Sequence, residues 1–380
     1  MFEQIRQVVL SSGVWNGKQA ETHKFVLTPS VYELSVARAA ELRALTHAIA
    51  VALKEIDQLM VVQVHPALRA HIPTIDLDLL DVEPGVGPGI FKFDVIEGVD
   101  GRWYVPEIDT RVIQNWGVGI LTERIRQVVM PCAEAISDMV GGVAREFHRM
   151  GGDGTLYLIY PDVERFYKPY FLVVKAVLAE FNIQLEVIHE NRGEQAAREG
   201  KFFVDLPLCR FNHEVGVVLA RRYRAGEVRF LVPPKSHLGS KNVLSLLYGA
   251  GKLEPYLPES RLVYDEKTWE GVGTQFILKE VISGGSKGLT FGDTAEFAAR
   301  AQQARREPYR FMLQREIQTL ARTLPYFGPE GDLREGIFAV RLIVHANGAG
   351  EVFDVQATAC QNTRIIHGGK DALMFGAAIT

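Results

Sequence analysis

Several absences constrain this 380-residue chain before any motif is considered. Only three cysteines occur, Cys132, Cys209 and Cys360, with no metal-ligand spacing; an odd, low count argues against a disulfide framework and fits a reducing compartment. There is no strong charge of either sign: 42 Lys and Arg against 46 Asp and Glu leave a formal net charge of −4, so no basic excess points to nucleic acid. No apolar run reaches the ~18 residues that span a bilayer, and Met1-Phe2-Glu3-Gln4-Ile5-Arg6 opens no signal-peptide apolar region. These features predict a soluble cytoplasmic protein with no nucleic-acid or membrane partner. The G-x-x-x-x-G-K-[ST] phosphate loop is missing. So is any G-x-G-x-x-G after a strand, which argues against a dinucleotide oxidoreductase. No Ser/His/Asp or Cys/His constellation stands out. What remains is a 47% hydrophobic chain, long enough for two or three domains.

Two segments carry chemistry. Phe276 to Glu280, then Gly284, Gly285, Ser286, Lys287 and Gly288, reads as a strand, a glycine loop and a second strand, with Lys279 just before the loop. Small residues let backbone N–H groups approach phosphate oxygens, and a nearby lysine adds a point charge; a nucleoside triphosphate under a β-hairpin fits, as does an ordinary Gly-Gly turn. The second segment runs from Phe91 to Asp109 and alternates on both sides of Asp100-Gly101, a strong hairpin signal. With those two residues as the turn, Asp94 opposes Glu107 and Lys92 opposes Asp109. Residues i and i+2 share a face, so Asp94, Glu107 and Asp109 converge. Opposed like charges destabilise a strand pair unless a cation lies between them, and hard carboxylate oxygens suit Mg²⁺ together with nucleotide phosphates. The alternative is a solvated hairpin face.

Three parts follow along the chain. Residues 1–150 hold a helix from about Thr28 to Leu59, a Pro/Gly-punctuated connector over Asp76–Gly89, the acidic hairpin, and a helical stretch over 117–150. The 30–59 helix is expected to pack in the core, with a homodimer face as the alternative. Residues 151–235 alternate strand and helix (strands at 155–160, 185–189, 201–208 and 228–232; helices at 166–181 and 214–224), which predicts a small parallel-sheet α/β domain. Residues 236–380 carry a short helix with Lys241, the glycine hairpin, a helix near 294–305, and strands near 311–317, 336–345 and 351–357.

Taken in order, these elements resemble the ATP-grasp ligases, in particular the circularly permuted branch that includes glutathionylspermidine synthetase. The acidic hairpin K-x-D…E-x-D is similar to that branch's R-x-D…E-x-N. Phe230 to Lys241 is similar to its apolar strand, proline and Ser-Lys before a Leu-rich helix; Lys279 with Gly284–Gly288 to its lid; Phe311 to Glu316 to its adenine hinge; and Leu324-Pro325-Tyr326-Phe327 to the Leu-Pro-x-Phe that follows. The resemblance covers about residues 75–330. It implies an α/β protein of α+β character, with a circularly permuted ATP-grasp fold and a small pre-ATP-grasp-like domain. The implied activity is an ATP-dependent carboxylate–amine ligase that works through an acyl phosphate and releases ADP and phosphate. Mg²⁺ is implied at Asp94, Glu107 and Asp109. Nucleotide phosphates are implied at Lys241, Lys279 and the Gly284–Gly288 loop, and adenine along Gln314, Arg315, Glu316 and Ile317. Lys92 falls near the transferred phosphate. Two departures matter: Asp109 replaces an Asn, and Lys92 replaces an Arg, so a bidentate contact becomes a point charge.

Arg341 lies inside an apolar run and needs a partner; a phosphate or carboxylate fits. Arg364 and His367 are candidates for a substrate carboxylate, with plain surface charge as the alternative. Gly368-Gly369-Lys370 reads as a turn, His213 and His237 as structural, and Trp116 to Gly119 either as a pocket wall or as a helix start. Besides the ligase, an inactive nucleotide-binding scaffold and a small-molecule kinase of the same superfold remain open.

Overall fold

The computed structural model describes residues 1–12, 26–62, 65–69, 79, 82–83, 87–110, 115–206, 214–281, 283, 288–361, 363–368 and 371–380. It opens with helix α1 (Phe2–Ser11), strand β1 (Tyr32–Leu34), the long helix α2 (Val36–Val62) and one helical turn, α3 (Pro66–Arg69). Strands β2 (Ile90–Glu97) and β3 (Trp103–Asp109) precede α4 (Trp116–Val129), β4 (Glu134–Ala135) and α5 (Met139–Arg149). An alternating stretch follows: β5 (Thr155–Tyr160), α6 (Lys168–Leu178), β6 (Gln184–His189), α7 (Glu194–Glu199), β7 (Phe202–Asp205), α8 (Glu214–Arg224) and β8 (Arg229–Val232). The remainder comprises α9 (Asn242–Gly249), β9 (Ser260–Leu262), β10 (Phe276–Glu280), β11 (Leu289–Phe291), α10 (Phe297–Arg306), β12 (Phe311–Arg315), β13 (Ala321–Phe327), β14 (Leu333–Asn347), β15 (Val352–Gln361) and β16 (Leu373–Ile379).

Among the described residues the strands form three sheets. The largest has eight strands in the order β1-β16-β15-β14-β2-β3, with β13 also on β14 and β4 on β16. It joins strands from both ends of the chain. A four-stranded antiparallel sheet runs β11-β10-β12-β9, and a four-stranded parallel sheet runs β6-β5-β7-β8. The parallel sheet is the expected βαβ unit, with α8 at the expected bounds. The helical stretch expected over 117–150 divides: α4 stops at Val129, and α5 starts only at Met139. Pro131 cannot continue a helix, and Asp138 caps the new one by accepting from Gly141 N at 3.1 Å.

The large sheet is two-faced. Phe91, Phe93, Val95, Leu342, Val344, Val355 and Ala357 point to one side and join a core with Leu42, Leu45, Ile49, Leu53 and Ile56 of α2. The three- and four-residue spacing on α2 gives it the apolar stripe that covers this face, so the helix is core rather than a free surface. The alternate residues, Lys92, Asp94, Arg341, His345, Asp354 and Gln356, share the opposite face. Phe93 is fully buried beneath α2. Phe93→Ala is therefore expected to cost about 3–5 kcal/mol in denaturant unfolding; a loss under about 1 kcal/mol would contradict this packing.

Among the described residues, no helix is long and apolar enough to cross a membrane.

Candidate functional site

The polar face is organised by the β2–β3 hairpin. Lys92 pairs with Asp109 and Asp94 with Glu107, as the sequence predicts, but the route to that register differs. Gly98 and Arg102 close a three-residue loop in which Gly101 has φ +75°, and Ile96 opposes Tyr104, one residue out of the expected register. A bulge in β3 restores it: one residue lies between Asp94 and Ile96, but two lie between Tyr104 and Glu107. Pro106 has no N–H to offer the ladder, and Val105 N donates to Tyr256 O at 2.8 Å instead. The bulge turns the Pro106 carbonyl towards Lys279, whose Nζ donates to it at 3.4 Å.

Strand β14 lies along β2, with Ile343 opposite Asp94 and His345 opposite Lys92. Arg341 thereby reaches Asp94, and its Nη1 donates to Oδ2 at 2.8 Å. The arginine inside the apolar run finds its partner in the protein's own carboxylate, which is 2% exposed. Lys92 Nζ lies 3.4 Å from Asp109 Oδ2, and Lys241 Nζ lies 3.7 Å from Glu107 Oε1. Lys241 enters from the N-terminal end of α9 and also donates to Ser283 O at 2.7 Å. Three carboxylates and four cations thus meet on one face, drawn from β2, β3, β10, β14 and the start of α9.

The charges shift one another. Burial opposes the Glu107 carboxylate, but Lys241, Lys92, Lys279 and Arg341 outweigh it and hold its pKa down at about 2. Burial dominates at Lys279 and lowers its pKa to about 8, against the pull of Glu107. At Lys92 burial is overcome by Asp109, Asp94 and Glu107, and the pKa is raised. Asp94 Oδ1 and Arg341 Nε are buried with no hydrogen-bond partner. Among the described residues, no three His, Cys, Asp or Glu side chains are grouped closely enough to hold a metal by themselves.

The stretch expected to line a base pocket lies at the end of β12. Arg315, Glu316 and Ile317 border a cavity of about 490 Å³, together with Tyr104, Tyr248 and Pro258. Gln314 turns the other way, donating to Ser260 Oγ at 3.1 Å while fully buried. Arg315 pairs with Glu259 at 2.6 Å. Lys92, Asp94, Glu107, Lys241 and Lys279 do not border this cavity, so the ionic cluster and the cavity are separate features. Gly288 closes the β10–β11 hairpin, its carbonyl accepting from Glu280 N at 2.9 Å. Its φ of +76° and the nearness of the Glu280 side chain require glycine. Gly284, Gly285, Ser286 and Lys287 lie outside the described residues, as do His213, Gly369, Lys370 and most of the 76–89 connector.

No protein-family model and no curated protein matches the sequence. Among solved structures, the chain is similar to a glutathione synthetase-like effector from Globodera pallida in its apo form. The TM-score is 0.56 and the identity 11%, over 98% of this chain and 96% of that one. The chain has a glutathione synthetase-like fold. At this identity the likeness is one of fold alone, a mixed α/β architecture built on several sheets.

That fold brings forward residues that the sequence did not single out. His345, Asp354 and Gln356 are fully buried on the polar face, next to the ionic cluster. Only the two-residue period of β14 and β15 could have signalled them. Arg364 is held by Asp293 at 2.7 Å and by Glu316, and lies 4.1 Å from the Phe291 ring centre. It joins the β15–β16 connection to both the β10–β12 sheet and the end of β12. His237 sits buried against Asp57 at 3.0 Å, with Lys235 at 3.3 Å from the same carboxylate oxygen. Trp116 is a buried helix start.

Proposed function

We propose that this chain is an ATP-dependent carboxylate–amine ligase of the ATP-grasp type, in the circularly permuted arrangement, acting through an acyl phosphate. One observation carries the reading: Lys92, Lys241, Lys279 and Arg341, distant in sequence, meet Asp94, Glu107 and Asp109 on one sheet face. Four cations beside three carboxylates suit a polyphosphate and a small hard cation better than either alone.

Asp94 and Glu107 fit Mg²⁺: they are opposed hard-oxygen donors, Asp94 keeps a buried oxygen with no partner, and magnesium needs only one or two carboxylates beside phosphates and water. Asp109 is the third candidate, here tied to Lys92. When bound, Mg²⁺ would neutralise developing phosphate charge. The chain's own work is positioning and charge stabilisation. Lys241 and Lys279 would take up phosphate oxygens, with the Gly284–Gly288 loop as a lid. Lys92 and Arg341 would stabilise the transferred phosphoryl group as the carboxylate attacks and ADP leaves. Residues 314–317 would receive the base largely through their backbone groups, the Gln314 side chain being turned away. An amine would then displace phosphate to form the amide.

Calorimetric titration of Mg·ATP into wild type and Lys279→Ala tests this. Magnesium-dependent binding should fall at least tenfold in the variant; equal binding in both would end the assignment. Lys279, with a pKa of about 8, is charged below that pH and neutral above it. Wild-type affinity should therefore weaken as pH rises through about 8, and the Lys279→Ala profile should stay flatter.

The pairing of each of Asp94, Glu107 and Asp109 with one of the protein's own cations favours a second reading, a nucleotide-binding scaffold without turnover. Nucleotide binding indifferent to magnesium, with no ADP released in a carboxylate-by-amine screen, would select it.

A further inference from the structure

Behind the ionic cluster lies a group that the proposed chemistry has not used. His345 and Asp354 are opposed on β14 and β15, both fully buried, with Nδ1 of the ring 2.9 Å from Asp354 Oδ2. A carboxylate only accepts, so Nδ1 carries the proton and donates. In the neutral ring Nε2 is then a bare lone pair. The same Asp354 oxygen accepts from Gln356 Nε2 at 3.1 Å, and that amide also donates to Asn115 O at 3.4 Å. Both partners of the amide nitrogen are acceptors, which fixes its orientation and anchors the carboxylate to the start of α4. Gly119 on α4 has no room for a side chain, because a Cβ there would stand 2.7 Å from Asp354 Oδ2. The ring is thus oriented by a carboxylate that is itself held in place.

His345 Nε2 is buried and has no hydrogen-bond partner. Leaving such an atom unpaired costs its desolvation with nothing in return. Lys92 on β2 is the cross-strand neighbour of His345, on the side of β14 away from Asp354. An oriented imidazole with a free lone pair, backed by a carboxylate and one strand away from Lys92, has the layout of a general base.

Resting on the ligase reading, we propose that His345, oriented by Asp354, receives the –NH3⁺ group of the nucleophile and takes one proton from it. The freed nitrogen attacks the acyl-phosphate carbon, the C–N bond forms, and the C–O bond to phosphate breaks. The second nitrogen proton leaves on the phosphate, and His345 returns its proton to water. The substrate class is a primary amine or ammonia.

The test uses the whole chain labelled with ¹⁵N-histidine, in the presence of Mg·ATP, with the His345 ring signal assigned by its loss in His345→Asn. The expected result is a protonated Nδ1 and a bare Nε2 whose resonance moves on adding ethylammonium chloride and not on adding tetramethylammonium chloride, which has the same charge and no N–H. A shift with ammonium chloride alone would assign ammonia rather than an organic amine. A protonated Nε2, no response to either N–H donor, or an equal response to tetramethylammonium would overturn the proposal. Asp354→Asn conserves volume and should move the proton to Nε2 and abolish the response; a wild-type response there would also overturn it. In turnover, His345→Asn should lose about 10²-fold with an amine and recover with hydroxylamine, which arrives unprotonated. Absent Mg·ATP binding would end the ligase reading whatever the ring does. A silent ring with Mg·ATP binding intact would end this proposal alone.

Discussion

Glu107→Gln should lower ADP release by about 10²–10³-fold, the scale on which a single preorganised electrostatic contact acts, while nucleotide binding without magnesium stays at least as tight. The substitution conserves shape and removes one negative charge from a cluster that already holds four cations against three carboxylates. Lys241 would lose its carboxylate partner and keep its hydrogen bond to Ser283 O. Binding titrations with and without magnesium, run beside an ADP-release assay, check both halves, and a fully active variant would remove Glu107 from the metal site. The same residue shapes acid stability. Its pKa is depressed from 4.5 to about 2 in the folded protein, so its contribution is present above 4.5 and is lost as pH falls through about 2. Stability measured across that window should decline more steeply in wild type than in Glu107→Gln.

Arg341→Leu should cost about 3–5 kcal/mol of folding stability, because Asp94 would remain buried without its counter-charge. Removing both partners together, Asp94→Leu with Arg341→Leu, should recover most of that loss, since the penalty lies in the stranded charge rather than in a missing attraction. Urea unfolding of the two single variants and the double variant forms the cycle. A double variant as unstable as Arg341→Leu would show that the pair does not act as a unit. Arg341→Lys should fall between, because an ammonium cannot reproduce the planar contact.

The acidic hairpin shows how far local sequence reaches. Alternation around Asp100-Gly101 placed Asp94 opposite Glu107 and Lys92 opposite Asp109, and this pairing is present. It is reached through a three-residue loop and a compensating bulge at Pro106, a combination that alternation alone does not reveal. The bulge depends on where Val105 N finds its acceptor, and that acceptor, Tyr256 O, comes from a distant segment. The parallel sheet of β5 to β8 was legible because each strand and helix there has its own period and its own breakers. The break between α4 and α5 is marked by Pro131, but the apolar spacing on either side hides it.

By itself the sequence determined the local elements: the amphipathic α2, the hairpin and its convergent carboxylates, the βαβ unit, and the demand that Arg341 find a partner. Those follow from periodicity, turn chemistry and the cost of burying a charge, all of which act over a few residues. Only the tertiary structure decided that Asp94 is the partner of Arg341, that Lys241 and Lys279 reach the same face, and that His345 meets Asp354 behind it. The short strands β1, β13 and β16 were likewise settled by pairing with β14, β15 and each other. Each of these contacts depends on the order of strands in the large sheet, where segments hundreds of residues apart lie side by side. That order is set by the joint burial of one apolar face under α2, and no local window of the chain contains it.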